Sequence, residues 1–247
     1  MKSNLLYFLL FSMLLFYQKS VFAQPIKKIP VDKQRAVKWK PEKGQYYFSH
    51  LLVFDYENKA EKTKGTIRIY LDPVSGAMCF LKDSSFRQKG NAYDFIIGFP
   101  NGNFTFYGTD DAGKKIRISE TVSEVKPDAE TLLQRKEDFA TYCLPTANKR
   151  TEFGLESIEY NLGYATSDTK DKIWLAKMPF SIYALYGIEF VESAVSLPVS
   201  FDYMHLLDAD QLITEFSSGN AFFKLIQFGR APYTAITNGY QELKRND

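Results

Sequence analysis

The sequence holds few of the residues that most often carry chemistry. Among 247 residues there are two histidines, two cysteines and two tryptophans. Neither His50 nor His205 has the spacing to other ligands that a metal site requires. Neither lies in a motif of the serine, cysteine or zinc-dependent hydrolases. These absences predict no metal and no cofactor, and they favour a non-catalytic protein over an enzyme.

The chain also lacks an excess of charge. Its formal net charge is +2, and two of its lysines, Lys2 and Lys19, lie in residues 1–23, which contain no acidic residue. Without that segment Lys+Arg falls from 31 to 29, against 29 Asp+Glu. Because proteins that bind nucleic acids carry clustered positive charge, we predict no nucleic-acid partner.

Long apolar runs are missing too, apart from one at the start of the chain. Residues 5–17 are apolar except for Ser12, Lys2 precedes them, and Val21-Phe22-Ala23 offers a cleavage pattern. At about 1.5 Å per residue the run covers about 20 Å, too little for a bilayer core of about 30 Å. We therefore predict a signal peptide over residues 1–23, export to the periplasm or beyond the cell, and no transmembrane segment after cleavage.

Residues 24–44 follow as a basic lead-in that contains Pro25, Pro30 and Pro41. Exposed chain ends with few apolar groups rarely order, so we expect this lead-in to be solvated. Residues 45–247 contain no repeat and no low-complexity linker, which predicts a single domain.

The two cysteines, Cys79 and Cys143, leave two alternatives open. An even number of cysteines in an exported chain permits one disulfide. Each cysteine also stands among apolar residues, which suits a buried free thiol equally well.

Alternation of apolar and polar residues dominates the rest of the chain and predicts β-strands. We expect a mainly β fold with minor α content: a curved, half-barrel-like antiparallel sheet with one to three covering helices. Helical spacing predicts a helix over residues 128–142 and a second over residues 203–216, whereas residues 179–186 fit helix or strand. The predicted strands are residues 46–55, 66–71, 78–82, 93–99, 104–108, 115–120, 157–164, 172–178 and 221–228.

The segment 93–109 predicts a hairpin that is apolar on both faces. Pro100, Asn101 and Gly102 suit a three-residue loop with Gly102 in the left-handed conformation. An antiparallel register then separates two sets of side chains. One set holds Tyr93, Phe95, Ile97 and Phe99 with Thr105 and Tyr107, and the other holds Ile96 with Phe104 and Phe106. Because both faces need cover, we single out Phe95, Ile97, Phe99, Phe104 and Phe106 as candidate residues for binding an apolar ligand.

The stretch GTDDAGKK, residues 108–115, comes within one residue of a phosphate-binding loop. Lys115 replaces the Ser or Thr that binds magnesium, and the segment that follows alternates like a strand instead of opening a helix. Asp110 and Asp111 would also place two carboxylates beside the anion. We therefore predict a hairpin turn here.

The chain resembles exported, β-rich bacterial envelope proteins in five segments. These are the signal segment, KGTIRIY at residues 64–70, the hairpin ending in GTDDAGKK, and the strands IEYNLGY (residues 158–164) and IWLAK (residues 173–177). The fold of those envelope proteins is similar to that of the periplasmic lipoprotein carriers, a curved antiparallel sheet with helices over its concave face. The carriers open with an amphipathic helix, whereas residues 24–44 here are basic and contain prolines, so no functional residue is carried across. The resemblance implies a non-catalytic envelope protein that binds an apolar, lipid-like ligand or an envelope partner. The alternative is an exported hydrolase whose site no motif reveals.

We predict that the mature protein begins at Gln24, because signal peptidase cleaves after a small residue such as Ala23. Mass spectrometry of the exported protein measures this directly. An intact segment 1–23 in the membrane fraction would contradict the prediction.

Overall fold

The computed structural model describes residues 28–82, 93–122, 129–164, 167–191 and 207–243, and within them one sheet of twelve strands. The sheet is open and curved, which confirms the predicted fold class. The signal segment lies outside the described residues. The strands are β1 Gln45–Asn58, β2 Thr63–Leu71, β3 Met78–Leu81, β4 Tyr93–Gly98, β5 Asn103–Thr109, β6 Lys115–Thr121, β7 Cys143–Glu152, β8 Leu155–Tyr164, β9 Ser167–Lys177, β10 Gln211–Ser217, β11 Ala221–Ile236 and β12 Gln241–Glu242.

The sheet consists of two meanders joined at one strand pair. Its order is β12-β6-β5-β4-β3-β2-β1-β11-β10-β9-β8-β7, so β1 to β6 run outward in one direction and β11 to β7 in the other. The joint is the antiparallel pair of β1 and β11, which extends from Gln45 opposite Ile236 to Asn58 opposite Ala221. Every pair is antiparallel except β12 with β6. The edges are β12 and β7, and the pairing of β7 is interrupted between Pro145 and Lys149.

The described residues contain three short α-helices: α1 Arg35–Lys38, α2 Ala129–Tyr142 and α3 Tyr183–Gly187. The prediction of a helix over residues 128–142 is confirmed from Ala129 onward. Phe139 packs against the core, but Leu133 is 58% exposed, so part of the predicted apolar stripe of α2 faces solvent. None of the helices in the described ranges combines the length and apolarity needed to cross a membrane.

The predicted helix over residues 203–216 is wrong where the structure describes it. Residues 211–217 are β10, which pairs with β9 and β11. Leu212, Ile213 and Thr214 are all buried, and the register with β9 shifts between Ile213 and Glu215. Because a bulged strand covered on both sides does not alternate, its apolar residues imitate helical spacing. Residues 203–206 lie outside the described part of the chain.

Two apolar clusters occupy opposite faces of the sheet. The larger, called the inner cluster, draws side chains from both meanders and is covered by the buried α3 residues Ala184, Leu185 and Tyr186. The Tyr186 hydroxyl links α3 to β10 by two hydrogen bonds. It accepts one from the Ile213 N–H at 3.0 Å and donates one to the Gln211 carbonyl at 2.8 Å. The smaller outer cluster is formed by Phe48, Ala77, Cys79, Phe95, Ile97, Tyr107 and Ala235.

Both cysteines are free and buried. Cys79 belongs to the outer cluster and Cys143 to the inner cluster, so the sheet separates the two thiols. Of the two alternatives left by the sequence, the structure has the buried free thiols. Burial raises the pKa of both, that of Cys143 to about 11.

The loop of the β4–β5 hairpin matches its prediction. Gly102 has a φ of +84°, and the Phe99 N–H donates to the Asn103 carbonyl at 2.9 Å. The one departure is Tyr93, which packs on Phe106 of the inner cluster with ring centroids 4.9 Å apart. A register shift between Tyr93 and Phe95 turns this side chain to the opposite face from the one predicted.

The predicted turn at residues 108–115 is confirmed and joins β5 to β6. Gly113 has a φ of +79°, and the Asp110 carboxylate accepts from the backbone N–H groups of Ala112 at 3.0 Å and Lys114 at 2.7 Å. The Asp110 carboxylate and these two backbone N–H groups thus close the turn.

We predict that Gly98→Ala destabilises the fold by about 1–3 kcal/mol, because an added methyl group would collide with the Phe104 ring in the filled inner cluster. The matched control is Gly229→Ala on β11, where a methyl group would meet nothing within 4 Å. Urea denaturation of both variants measures the difference. Equal stability of the two variants would show that the space around Phe104 is loosely filled.

Candidate functional site

The five residues predicted to bind an apolar ligand lie in two different clusters. Phe95 and Ile97 belong to the outer cluster with the partly buried Phe99, whereas Phe104 and Phe106 are fully buried in the inner cluster. Protein side chains cover both groups: Tyr240 stands edge-on to Phe95 at 5.9 Å, and Phe104 lies against α3. The described residues therefore do not bring the five side chains together around one cavity.

Two depressions among the described residues are open to solvent at the surface. One, of about 340 Å³, is lined by residues 178–181 with Ala209 and Asp210. The other, of about 440 Å³, lies at the end of the β5–β6 pair. Each touches one residue of the inner cluster, Met178 in the first and Phe104 in the second, and both of these residues are buried.

His50 lies on β1 in a group of titratable side chains. Its Nδ1 lies 2.8 Å from the Ser49 hydroxyl, which a register shift between Phe48 and His50 places beside the imidazole. Burial lowers the pKa of His50, and the carboxylates of Asp32 and Asp72 oppose this effect. A Ser–His pair near an Asp is the arrangement that the hydrolase alternative requires.

The Asp32 carboxylate is already occupied. It accepts from Arg230 Nε at 2.9 Å, from the Tyr47 hydroxyl at 3.0 Å and from the Gln34 N–H at 2.8 Å, and its side chain is 4% exposed. The Gln34 N–H, followed by Arg230 and Tyr47, holds the pKa of Asp32 below its ordinary value against the opposing effect of burial. Burial, followed by this carboxylate, raises the pKa of Tyr47.

Asp72 is bound in the same way at the turn after β2. Its fully buried carboxylate accepts hydrogen bonds from Nε and Nη2 of Arg35, each at 2.8 Å, and from the Ser75 hydroxyl at 2.6 Å. The guanidinium of Arg35 also lies over the Trp39 ring at 4.7 Å. This bidentate geometry is the strong form of an ion pair.

These two ion pairs bind the lead-in to the sheet. They also occupy the two carboxylates near His50, which disfavours a hydrolase site built on Ser49 and His50. The sequence predicts a solvated lead-in over residues 24–44; in its described part, residues 28–44, Asp32 and Arg35 bind it to β11 and to the β2–β3 turn. Ser49 is 2% exposed, so a substrate has no approach to its hydroxyl. The other histidine, His205, lies outside the described residues.

A second polar group covers the sheet on the side opposite the inner cluster. We call it the charged face; it comprises Arg150, Glu159, Lys172, Trp174, Glu215 and Lys224. On β9, Trp174 alternates with the inner-cluster residues Ile173 and Leu175. The register sets Glu159 opposite Trp174, Trp174 opposite Glu215, and Glu215 opposite Lys224.

Trp174 lies at the centre of the charged face beneath Arg150. The Arg150 guanidinium lies 4.2 Å from the Trp174 ring and donates to Glu215 at 2.8 Å. Lys224 approaches the same carboxylate at 3.2 Å. Trp174 itself is partly exposed, so this cation–π pair reaches the protein surface.

Glu159 forms the other end of the network. It is 4% exposed and accepts from Asn148 Nδ2 at 2.7 Å, Thr146 Oγ1 at 3.0 Å and Lys172 Nζ at 3.1 Å. Burial acts to raise the pKa of Glu159, but these three donors outweigh it and hold the pKa below its ordinary value. An ionised carboxylate with its oxygens occupied is unsuited to the general-acid role of a glycosidase.

Sequence reasoning missed the charged face and the two ion pairs. Alternation in the segment IWLAK does place Trp174 on the side away from Ile173 and Leu175. The partners, however, come from four other strands, and only the register assembles them. In the part of the chain that the structure describes, no group of three or more His, Cys, Asp and Glu side chains is placed to hold a metal.

No protein-family model matches the chain, and no curated protein matches it. Among solved structures, the chain is similar to PNGF-II in a C2 crystal form, with a TM-score of 0.40 and 9% identity. The match covers 79% of this chain and 30% of PNGF-II, so the chain spans less than a third of that protein's length. A likeness this distant carries no argument about this protein's function.

We predict that acid weakens the fold partly through Glu159. The pKa of Glu159 is lower in the folded chain than its ordinary value of 4.5 in the unfolded chain. Such a carboxylate stabilises the fold fully at pH values above 4.5, and this stabilisation is lost as the pH falls through the folded pKa. Glu159→Gln should therefore flatten the decrease in unfolding free energy between pH 5 and strongly acidic pH, measured by urea denaturation. The control is Glu156→Gln, an exposed position on the same strand. An unchanged acid profile in Glu159→Gln would contradict the prediction.

Proposed function

We propose that the protein is an exported, non-catalytic envelope protein that works by binding a protein partner through the charged face. The observation that carries the proposal is the Trp174–Arg150 pair. It is partly exposed, central in the network and held in one orientation by Glu215. Tryptophan and arginine are the residues most enriched at the energetic centres of protein interfaces.

The composition around the pair supports a protein partner. Basic and acidic side chains alternate around Trp174, with Lys172 56% exposed and Lys224 35% exposed. A mixed pattern of this kind selects a partner with a complementary pattern, because like charges brought together at an interface cost several kcal/mol, of the order of 2–4. The ion pairs also hold the face in one shape before binding, which lowers the entropy lost on association.

A partner fits the described structure better than an apolar ligand. The candidate ligand residues are divided between two clusters that protein side chains fill, and the depressions near them are open at the surface. An apolar ligand normally occupies a concave site that buries most of its surface.

The non-catalytic interpretation is supported by the chemistry of the titratable groups. Asp32 and Asp72 are bound by arginines, Ser49 is buried, and Glu159 is occupied by three donors. The hydrolase alternative would need a free carboxylate to orient His50 and an accessible nucleophile.

A crosslinking experiment in the producing bacterium tests the proposal. A photoreactive amino acid replaces Lys172, beside Trp174, and in a control replaces Thr66, an exposed residue of β2. We expect a discrete adduct with one envelope protein from position 172 only. Trp174→Ala should reduce that adduct at least about tenfold, since the loss of an interface centre costs about 2 kcal/mol or more.

Two results would overturn the proposal. The first is the absence of an adduct specific to position 172, or an adduct that Trp174→Ala leaves unchanged although circular dichroism shows a folded variant. The second is an esterase, peptidase or glycosidase activity of the purified chain that His50→Ala abolishes. The second result would support the hydrolase alternative instead.

A further inference from the structure

The open depression at the end of the β5–β6 pair is lined mainly by uncharged polar residues. We call it the amide–hydroxyl groove. It has a volume of about 440 Å³ and is open to solvent. Its main lining residues are Phe99, Asn101, Asn103, Thr105, Ser119 and Thr121.

The strand register arranges four of these side chains as two rungs. Asn103 lies opposite Thr121, and Thr105 lies opposite Ser119. The Thr121 hydroxyl donates to Asn103 Oδ1 at 2.9 Å, and the hydroxyls of Thr105 and Ser119 lie 3.4 Å apart. Asn103, Ser119 and Thr121 are exposed, so both rungs face the solvent.

The rungs offer hydrogen-bond donors and acceptors without charge. Once Asn103 Oδ1 is used by Thr121, the amide still has its two N–H donors, and each hydroxyl keeps acceptor lone pairs. Such a mixture of donors and acceptors pairs well with ligand hydroxyl groups, each of which both donates and accepts.

The remaining walls favour a sugar ring over an anion. Phe99 forms an apolar wall, and its ring is held edge-on to Tyr46 with centroids 6.2 Å apart. An aromatic face accepts the C–H groups of a pyranose ring, because its π-face is electron-rich. The described lining residues include no lysine or arginine, so the groove offers no cation to pair with a phosphate or carboxylate ligand.

We propose that the amide–hydroxyl groove binds a neutral carbohydrate. This site goes beyond the proposed partner face and is independent of it, because β4, β3, β2 and β1 separate β5 from β11 in the sheet. The ligand class follows from the chemistry of the lining: uncharged amide and hydroxyl groups for the sugar hydroxyls, and one aromatic wall for the sugar C–H face.

Isothermal titration calorimetry of the mature chain tests the site, with maltohexaose, cellohexaose and chitohexaose as probes. We expect at least one probe to bind with a dissociation constant of about 1 mM or tighter. Asn103→Asp keeps an oxygen for Thr121 but removes the amide donors, so it should weaken binding at least about tenfold. Ser119→Ala should weaken it in the same direction, and Thr66→Ala on β2 is the matched control.

The binding measurements either support or overturn the carbohydrate site. Binding that Asn103→Asp and Ser119→Ala weaken, and that Thr66→Ala leaves unchanged, supports the site. The proposal is overturned if the folded chain binds none of the three probes, or if both groove variants bind as well as the unaltered chain. Tighter binding of a sulfated oligosaccharide than of every neutral probe would also overturn it. None of these results depends on whether the charged face binds a partner.

Discussion

The pairing of β1 with β11 is the interaction on which the rest of the structure depends. It joins the first strand of the sheet to one near the end of the chain, and it is the point where the two meanders meet. The inner cluster draws on both meanders, so its burial requires this pair to form. Because contacts between distant segments close large loops, we expect folding to be slow compared with that of a helical protein of similar size.

The same joint organises the polar groups. Arg230 on β11 reaches Asp32 of the lead-in, and Lys224 on β11 reaches Glu215 of β10. The lead-in therefore contacts the joint at β11. The charged face extends from β11 across β10, β9, β8 and β7.

Local patterns in the sequence were sufficient for much of the fold. Alternation located most strands, Gly102 located one hairpin loop through the left-handed conformation that it requires, and the strand pattern after GTDDAGKK located another. Patterns failed where the strands are irregular: the bulge at Tyr93 reversed a face, and the bulge in β10 imitated a helix. The polar contacts could not be predicted, because Asp32 and Arg230 are far apart in the chain and no periodicity links them. Trp174 was assigned to a strand, but its relation to Arg150 depends on a register that the sequence does not encode locally.

The exposed edge strand β7 has a consequence for how copies of this protein meet one another. An unpaired strand edge is a template on which further chains can add. Pro145 removes one backbone donor from that edge, the pairing irregularity up to Lys149 breaks its regular outline, and the lysine places a charge on it. These local irregularities make β7 a poor template for fibre growth, so addition of a further strand at this edge of the twelve-stranded sheet is disfavoured.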